Sequence, residues 1–298
     1  MTKTLITGCS GLIGSALVEH LFNSGHSIQC LQRNKNSKNN GFWKTARLQT
    51  SHKTPFDTVI HLAGENVAQG RWSKVKKEKI LQSRVSGTRE LVDYISHLPQ
   101  KPSTFLCASA AGYYGNRGAE IVDEKSSPGE GFLAEVCREW EKETERLPAM
   151  GIRVVNLRFG MVLSPDGGAL HKVVPPFRAG LGGVIGNGEQ YISWISIRDI
   201  CEIVSFILAR PHIRGPVNVV SPVQTTNREL SKTLGKILDK PVIFRIPAFA
   251  ARIIFGRMAD EMLLTSTRVT PAMLLKEGYA FRDQSLETVL RFCTGKEL

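Results

Sequence analysis

No Cys-x-x-Cys pair, no histidine at zinc-finger spacing, no internal repeat and no low-complexity tract occur in these 298 residues. Zinc modules, solenoids and disordered polar tracts are therefore poor descriptions of the chain. The six cysteines, Cys9, Cys30, Cys107, Cys137, Cys201 and Cys293, are scattered, and the expectation is free, buried thiols in a reducing compartment. No apolar run approaches the roughly 18 residues that span a bilayer. The N-terminus enters a strand at once, without the charged and then apolar regions of a signal peptide. A cytoplasmic protein with no membrane partner is the expectation.

Acidic residues are in deficit, 27 against 39 Lys and Arg, for a net charge of +12. Such a balance suits nucleic acid, an anionic membrane or a phosphate-bearing ligand. The densest basic stretch runs from Arg71 to Lys79 and contains Lys74, Lys76 and Lys77 with Glu78 among them. It has helical propensity and reads as a solvated helix face. No nucleic-acid reader motif accompanies it, so net charge alone speaks only to non-specific association. With 42% hydrophobic and 22% charged residues, the composition is that of an ordinary globular α/β protein. A chain of this length buries roughly three quarters of its unfolded surface and needs no staples.

The opening Lys3 to Thr7 reads as a buried strand ended by Gly8-Cys9-Ser10-Gly11, after which Leu12-Ile13, Leu17-Val18 and Leu21-Phe22 recur at helical spacing until Gly25. Ser27 to Leu31 and Thr58 to Ala63 supply further strands, the latter ended by Gly64. The polar residues 34–56 predict an abbreviated or irregular crossover. A long helix over 73–97, a strand over 104–108, a helix over 131–147 and a strand over 154–158 continue the alternation. The fold class expected is α/β, a Rossmann doubly wound parallel sheet. After residue 160 the texture changes to Gly/Pro-rich loops, including Pro175-Pro176, with short helices near 198–209, 227–238 and 247–256. The domains expected are thus 1–160 and a smaller substrate lobe, 161–298, with sharing of elements between the two allowed.

Gly8-x-x-Gly11-x-x-Gly14 lies between strand and helix, where each missing Cβ has a mechanical use: a tight turn, close approach of backbone to a pyrophosphate, and close packing of helix on strand. The helix start, with Ser10, Leu12 and Ile13, then offers N–H groups and a positive dipole end to phosphates. A dinucleotide is the implied ligand. Which one is decided at the end of the second strand, where an NAD site wants Asp or Glu on the ribose 2′-hydroxyl. Here the chain reads Leu31-Gln32-Arg33-Asn34-Lys35. A guanidinium suits a 2′-phosphate through charge-assisted bidentate bonds, so NADP(H) is the expected cofactor, with Arg33 and Asn34 at its adenosine end. Arg33 pointing to solvent is the bland alternative. Leu62, Ala63, Gly64 and Glu65, with Ala108 and Ser109, fall at the carboxyl edge of the sheet and should line the rest of the cofactor.

These residues, together with Gly112-Tyr113-Tyr114-Gly115, resemble the extended short-chain dehydrogenase/reductase superfamily. More closely, the whole chain resembles its atypical "epimerase family" branch of NADP-binding proteins. The matching stretches are Leu62 to Asn66, Arg71-Trp72, Gln82-Ser83-Arg84, Pro175-Pro176-Phe177-Arg178-x-Gly180-Leu181-Gly182-Gly183, Trp194-Ile195-x-Ile197 and Pro271 to Phe281. The wider superfamily uses a Tyr-x-x-x-Lys pair on a helix as acid/base beside hydride transfer. Here Tyr94, Tyr113, Tyr114, Tyr191 and Tyr279 are followed at that offset by Leu98, Arg117, Gly118, Ile195 and Asp283. By register from Trp140-Glu141 the pair falls near Leu133 and Cys137, the superfamily serine falls near Ala110, and the supporting Asn aligns with Arg84.

The resemblance therefore implies either a rebuilt site or a domain that binds NADP(H) without rapid turnover. Candidates for a rebuilt site are Tyr114, Tyr113 and Ser109 as catalytic groups, with Arg84 on cofactor phosphate or substrate carboxylate. Tyr114 could donate a proton only if a cation such as Arg84 or Arg117 lowered its pKa from about 10. The bland alternative is that both tyrosines simply cover the nicotinamide. Glu65 and Asn66 are cleft candidates or a capping turn, Trp72 and Trp194 a substrate platform or core. Trp140-Glu141 and Arg138 read as a helix brace. In sugar-nucleotide enzymes a basic residue of the second lobe grips the diphosphate, and Asn187 to Tyr191 supplies none, although Arg178 or Arg198 could substitute. The expectation is an oxidoreductase or epimerase acting on a small molecule, with a non-catalytic NADP(H)-sensing module as the alternative. No metal is expected, and an oligomer stays open.

Overall fold

The computed structural model describes residues 1–31 and 55–296; Arg33, Asn34 and nearly all of the crossover expected over 34–56 lie outside the described residues. Strand β1 (Lys3–Thr7) runs buried through the core and feeds helix α1 (Leu12–Asn23), which buries Gly14, Leu17 and Leu21 against it. Strands β2 (Ser27–Leu31) and β3 (Thr58–His61) flank β1 on either side. Helix α2 (Lys74–Ser96) follows, its start capped by the Ser73 side chain, which accepts from Lys76 N–H. It turns Ile80, Ser83, Gly87, Leu91 and Ile95 inward at the three-and-four spacing of one helical face. Then come β4 (Thr104–Ala110), a short β5 (Ile121–Val122), α3 (Phe132–Lys142) and β6 (Arg153–Phe159).

The second half supplies β7 (Met161–Ser164), β8 (Gly167–Gly168), α4 (Leu170–Arg178), β9 (Gly183–Ile185), β10 (Trp194–Ser196), α5 (Ile197–Leu208) and β11 (Gly215–Val219). It ends with α6 (Asn227–Ile237), β12 (Phe244–Ile246), α7 (Ala248–Phe255), β13 (Arg268–Val269), α8 (Ala272–Lys276) and α9 (Leu286–Thr294).

The main sheet has the order β11-β6-β4-β3-β1-β2, every neighbouring pair parallel. Both faces are covered, so its strands are near-continuous apolar runs. The chain leaves β1 toward β2 and returns to β3 on the other side of β1. That reversal opens a crevice at the carboxyl ends of β1 and β3, the place where open α/β sheets hold ligands.

Packing continues across residue 160. β11 completes the sheet, and Ile197, Ile200, Ile203, Val204 and Ile207 of α5 join the first core. A second, smaller core gathers Leu163, Leu170, Val174, Phe177, Trp194, Leu230, Leu234 and Leu290. Pro175-Pro176, expected in a loop, lies inside α4. Proline removes a helix bond and crowds the preceding turn, yet Leu170, Val174 and Phe177 bury one face of this segment, and that packing holds it helical.

The cysteine expectation also needs correction. Cys9 and Cys30 form a disulfide, while Cys107, Cys137, Cys201 and Cys293 are free. The parallel register sets Ile6 opposite Cys30, and the glycine turn folds Cys9 back until the two Cα atoms are 6.1 Å apart, within bridging range. Scattered spacing along the chain concealed a pairing made by neighbouring strands. Among the described residues no helix is long and apolar enough to cross a membrane.

Candidate functional site

The turn after β1 is shaped by what its glycines leave out. Gly8 takes φ +78°, and a Cβ there would lie 2.9 Å from Ala63 N and from Leu62 C at the end of β3. A Cβ on Gly14 would lie 2.1 Å from Gly8 O, and one on Gly11 would lie 3.2 Å from the same oxygen. Gly11 N–H donates to Gly8 O, closing the turn. No side chain caps α1 and no acidic residue sits in its first turn. Ser10 and Gly11 are exposed, Leu12 and Ile13 half-buried. The helix start thus presents its N–H groups and positive dipole end outward, an arrangement that receives phosphate oxygens.

Thr7 ties this turn to β3. Its Oγ1 accepts from Leu62 N–H at 3.2 Å and Ala63 N–H at 3.3 Å, and lies 2.7 Å from His61 Nδ1. The other ring nitrogen of His61 meets Thr88 Oγ1 at 2.9 Å, which also accepts from Trp140 Nε1 at 2.8 Å. Burial, with Arg84 adding a smaller push, lowers the His61 imidazole to about 3, so it is neutral at ordinary pH. The chain of contacts pins β1, β3, α2 and α3 together directly beneath the crevice.

Beyond β3 the loop follows α2. Glu65 N–H donates to Ser83 Oγ, its carbonyl accepts from Arg84 Nη1, and its carboxylate pairs with Lys76 at 2.7 Å. Asn66 makes a small turn, Oδ1 accepting from Ala68 N–H. The Arg84 guanidinium lies over the Trp140 ring and beside Gly64, where a Cβ would meet Arg84 Cζ at 3.1 Å. Trp72 donates from Nε1 to Val67 O and packs edge-on against Phe132.

At the end of β4, alternation sends successive side chains to opposite faces. Ala108 and Ser109 are buried, and Ser109 Oγ donates to Glu141 Oε1 at 2.6 Å. Glu141 in turn receives two parallel bonds, 2.8 Å each, from Arg158 Nε and Nη2. Arg158 Nη1 donates to Tyr114 Oη at 2.9 Å, and Tyr114 Oη donates to Asn218 Oδ1 at 2.7 Å. Tyr114 is 0% exposed. Burial pushes its phenol up to about 12 despite Arg158. The structure therefore places Tyr114 inside the fold with both its proton and its oxygen engaged. The cation at its hydroxyl is Arg158, whereas Arg117 Nε reaches only the Tyr114 carbonyl. Tyr113 is half-buried and stacks on Arg158, whose Cζ is 3.5 Å from the ring centre.

Helix α3 packs Leu133 beside Gly112 and buries Cys137 near Ser109 and Arg84. Burial raises the Cys137 thiol to about 11, so it stays protonated. The α3 start is capped from the other lobe: Phe132 and Leu133 N–H donate to Glu261 Oε1 and Oε2 at 2.8 and 3.0 Å. Arg71 makes a second cross-lobe contact, donating to Ile253 O and Ile254 O at the end of α7.

The remaining candidates of the second lobe serve its own packing. Trp194 is buried and donates to Thr225 Oγ1. Arg198 holds Asp283 through Nε and Nη2 at 3.0 and 2.6 Å, and Arg178 donates to Thr294 O. Asn187 to Tyr191 does have a basic neighbour, one supplied by α6: Arg228 Nη2 donates to Asn187 O and to Glu189.

Residues 4–220 match the model of the NAD dependent epimerase/dehydratase family, and 246–293 match a domain of unknown function, DUF1731. The chain belongs to the NAD dependent epimerase/dehydratase family. An epimerase family protein of Mycobacterium tuberculosis, MT2273, is 37% identical over 292 residues, 97% of this chain and 96% of that one. The human epimerase family protein SDR39U1 is 32% identical, over 97% of this chain and 98% of its own. A crystal structure of human SDR39U1 with NADPH superimposes with TM-score 0.90 at 31% identity, covering 99% of this chain and all of that one. A nucleoside-diphosphate sugar epimerase from Corynebacterium glutamicum gives TM-score 0.79 at 32% identity, over 99% of this chain and 59% of that one.

In this member of the epimerase/dehydratase family, three groups near the crevice escape a reading by motif. Arg158 leaves one trace, a charged residue near the end of a buried parallel strand, where an unpaired charge is rare. His61 leaves a similar one between Ile60 and Leu62. Glu261 leaves none, since 128 residues separate it from the Leu133 N–H that it caps.

Proposed function

We propose that this chain is an NADP(H)-binding oxidoreductase or epimerase of the family with a rebuilt proton relay. The observation that carries the reading is the turn at Gly8, Gly11 and Gly14, where side chains are sterically barred and an uncapped helix start faces the crevice. The NADPH held by human SDR39U1 supports it. Gly8, Ser10, Gly11, Leu12, Ile13 and Gly14 would hold the pyrophosphate, Leu62, Ala63, Gly64 and Ala108 would border the rest, and Arg33 with Asn34 would take the 2′-phosphate. When bound, the nicotinamide supplies a hydride donor or acceptor.

The chain's own residues determine what can accompany that chemistry. Position 133 is leucine and position 137 a thiol that burial keeps neutral, so the helix that carries the tyrosine and lysine in the wider superfamily offers no such pair. Ser109 and Tyr114 have hydroxyls committed to Glu141, Arg158 and Asn218. Tyr113 retains partial exposure beside them. The same facts favour a second reading, an NADP(H) sensor that turns over slowly or not at all and whose lobes respond to occupancy. The cross-lobe contacts of Glu261 and Arg71 are the elements such a response would use.

Titration calorimetry with NADPH and NADH tests the first claim. The expectation is preference for NADPH, lost in Arg33→Glu; absence of binding to either dinucleotide refutes it. Stopped-flow absorbance at the reduced nicotinamide band, against carbonyl compounds and sugar nucleotides, separates the two readings. Turnover supports the enzyme, and tight binding without turnover supports the sensor.

A further inference from the structure

Arg84 is a half-buried cation that no carboxylate among the described residues meets in an ion pair, Glu65 acting on it only from farther off. Its Nη1 donates to Glu65 O at 3.0 Å and to Ile80 O at 3.2 Å, and its Nε and Nη2 have no partner among the described residues. The carboxylate next in line, Glu65, is taken by Lys76. Burial lowers the guanidinium's affinity for its proton, and the nearby Cys137 and Glu65 offset this only in part. Keeping such a charge costs stability unless something else meets it. The side chain is held by stacking on Trp140, 5.0 Å from ring centre to Cζ, and by the missing Cβ of Gly64, whose place it fills. The guanidinium that carries these two donors is thereby held beside Gly64, just past the carboxyl end of β3.

That edge has a defined place on the crevice. The pyrophosphate turn follows β1, and the adenosine end belongs to the β2 side, beyond Leu31. A dinucleotide laid across the switch point therefore carries its other half over β3 and β4. Gly64 stands at the end of β3, and the Arg84 donors stand against it.

We propose that Arg84 is the anchor for the nicotinamide half of the dinucleotide, its free Nε and Nη2 donating to ribose and phosphate oxygens there. This rests on the NADP(H) reading above and assigns a separate residue to a separate half of the ligand. Planar, paired donors suit such oxygens better than a lysine's point charge. Because Arg84 lies beside Cys137 and Trp140 as well as Gly64, cofactor seated on it is also registered against α3.

The test uses the full chain and two probes, NADPH and adenosine 2′,5′-bisphosphate, which has the adenosine and 2′-phosphate but no nicotinamide half. Arg84→Met keeps the packing stem and removes the donors; Arg84→Lys keeps charge and removes the fork. Calorimetry should show NADPH weakened at least about tenfold in Arg84→Met, with the bisphosphate within about twofold of the parent. Arg84→Lys should fall between, and it serves alone if Arg84→Met melts without a cooperative transition by circular dichroism. Equal weakening of both probes would mean a structural role and overturn the proposal. So would unaltered NADPH affinity, the result expected if the guanidinium waits for a substrate carboxylate. If the parent protein binds the bisphosphate but not NADPH, this inference fails while the adenosine site stands; if it binds neither, the cofactor reading falls first.

Discussion

Gly14→Ala adds one methyl group at the point where α1 meets the turn. An ideal Cβ at this position lies 2.1 Å from Gly8 O, 2.8 Å from Gly8 C and 2.9 Å from Cys9 Cα. Comfortable contacts between non-bonded heavy atoms begin near 3.5 Å, so turn and helix must separate by about 1 Å. All three obstacles are backbone, and no rotamer change relieves them. The separation redirects the N–H groups proposed to meet the phosphates. Each hydrogen bond to a charged group contributes about 1.5–3 kcal/mol, and loss of two costs about 3–6 kcal/mol, roughly a 10²- to 10⁴-fold rise in Kd. Gly25→Ala is the matched control. Gly25 has φ +84° with open space around it, so the same methyl strains the backbone by about 1–2 kcal/mol and touches nothing at the crevice. Titration calorimetry with NADPH, beside urea unfolding of each variant, reads both effects. A folded Gly14→Ala protein that binds NADPH within about threefold of the parent would refute the steric argument.

Glu141→Leu should destabilise the fold by about 3–5 kcal/mol, because Arg158 is left buried and unpaired, and adding Arg158→Met should recover much of the loss; urea midpoints that barely move in the single variant would contradict this. His61 has a folded pKa of about 3, held down by burial, against roughly 6.5 unfolded. A depressed value stabilises fully above the unfolded pKa and is lost as pH falls toward 3, with a slope of about 1.4 kcal/mol per pH unit. Urea unfolding of His61→Gln between about pH 6 and pH 4 should show a flatter acid limb than the parent, and identical limbs would reject the assignment. Reduction of the Cys9–Cys30 bridge, or Cys9→Ser, releases a loop with a separation of 21 residues and should lower stability by about 3 kcal/mol. Equal urea midpoints with and without a phosphine reductant would show that the two sulfurs are not joined.

The strand, glycine turn and helix at the start of the chain were readable, since a strand, three glycines at fixed spacing and a helix all lie within about twenty contiguous residues. The parallel sheet was likewise legible, because strands covered on both faces are written as unbroken apolar runs such as Phe105 to Ala108. Spacing along the chain also sufficed to find no tyrosine with lysine four residues on. Residues brought together only by folding were not legible. Cys9 and Cys30 meet because β1 and β2 pair in parallel; Tyr114 loses its access to solvent because β6 and β11 bring Arg158 and Asn218 to its hydroxyl.

Periodicity reports which face of an element is buried, and glycine reports where backbone must pass close, so those features belong to the sequence by itself. Which cation meets which hydroxyl is a property of distance between elements, and no spacing along the chain encodes it. The Pro175-Pro176 helix shows the same division: local chemistry argues for a break, and the second core, with Phe177 packed where Gly182 has no side chain, overrides it. Arg84 sits on the boundary. Its presence on α2 is written in the sequence, but its place beside Gly64 and over Trp140 exists only once β3, α2 and α3 have come together.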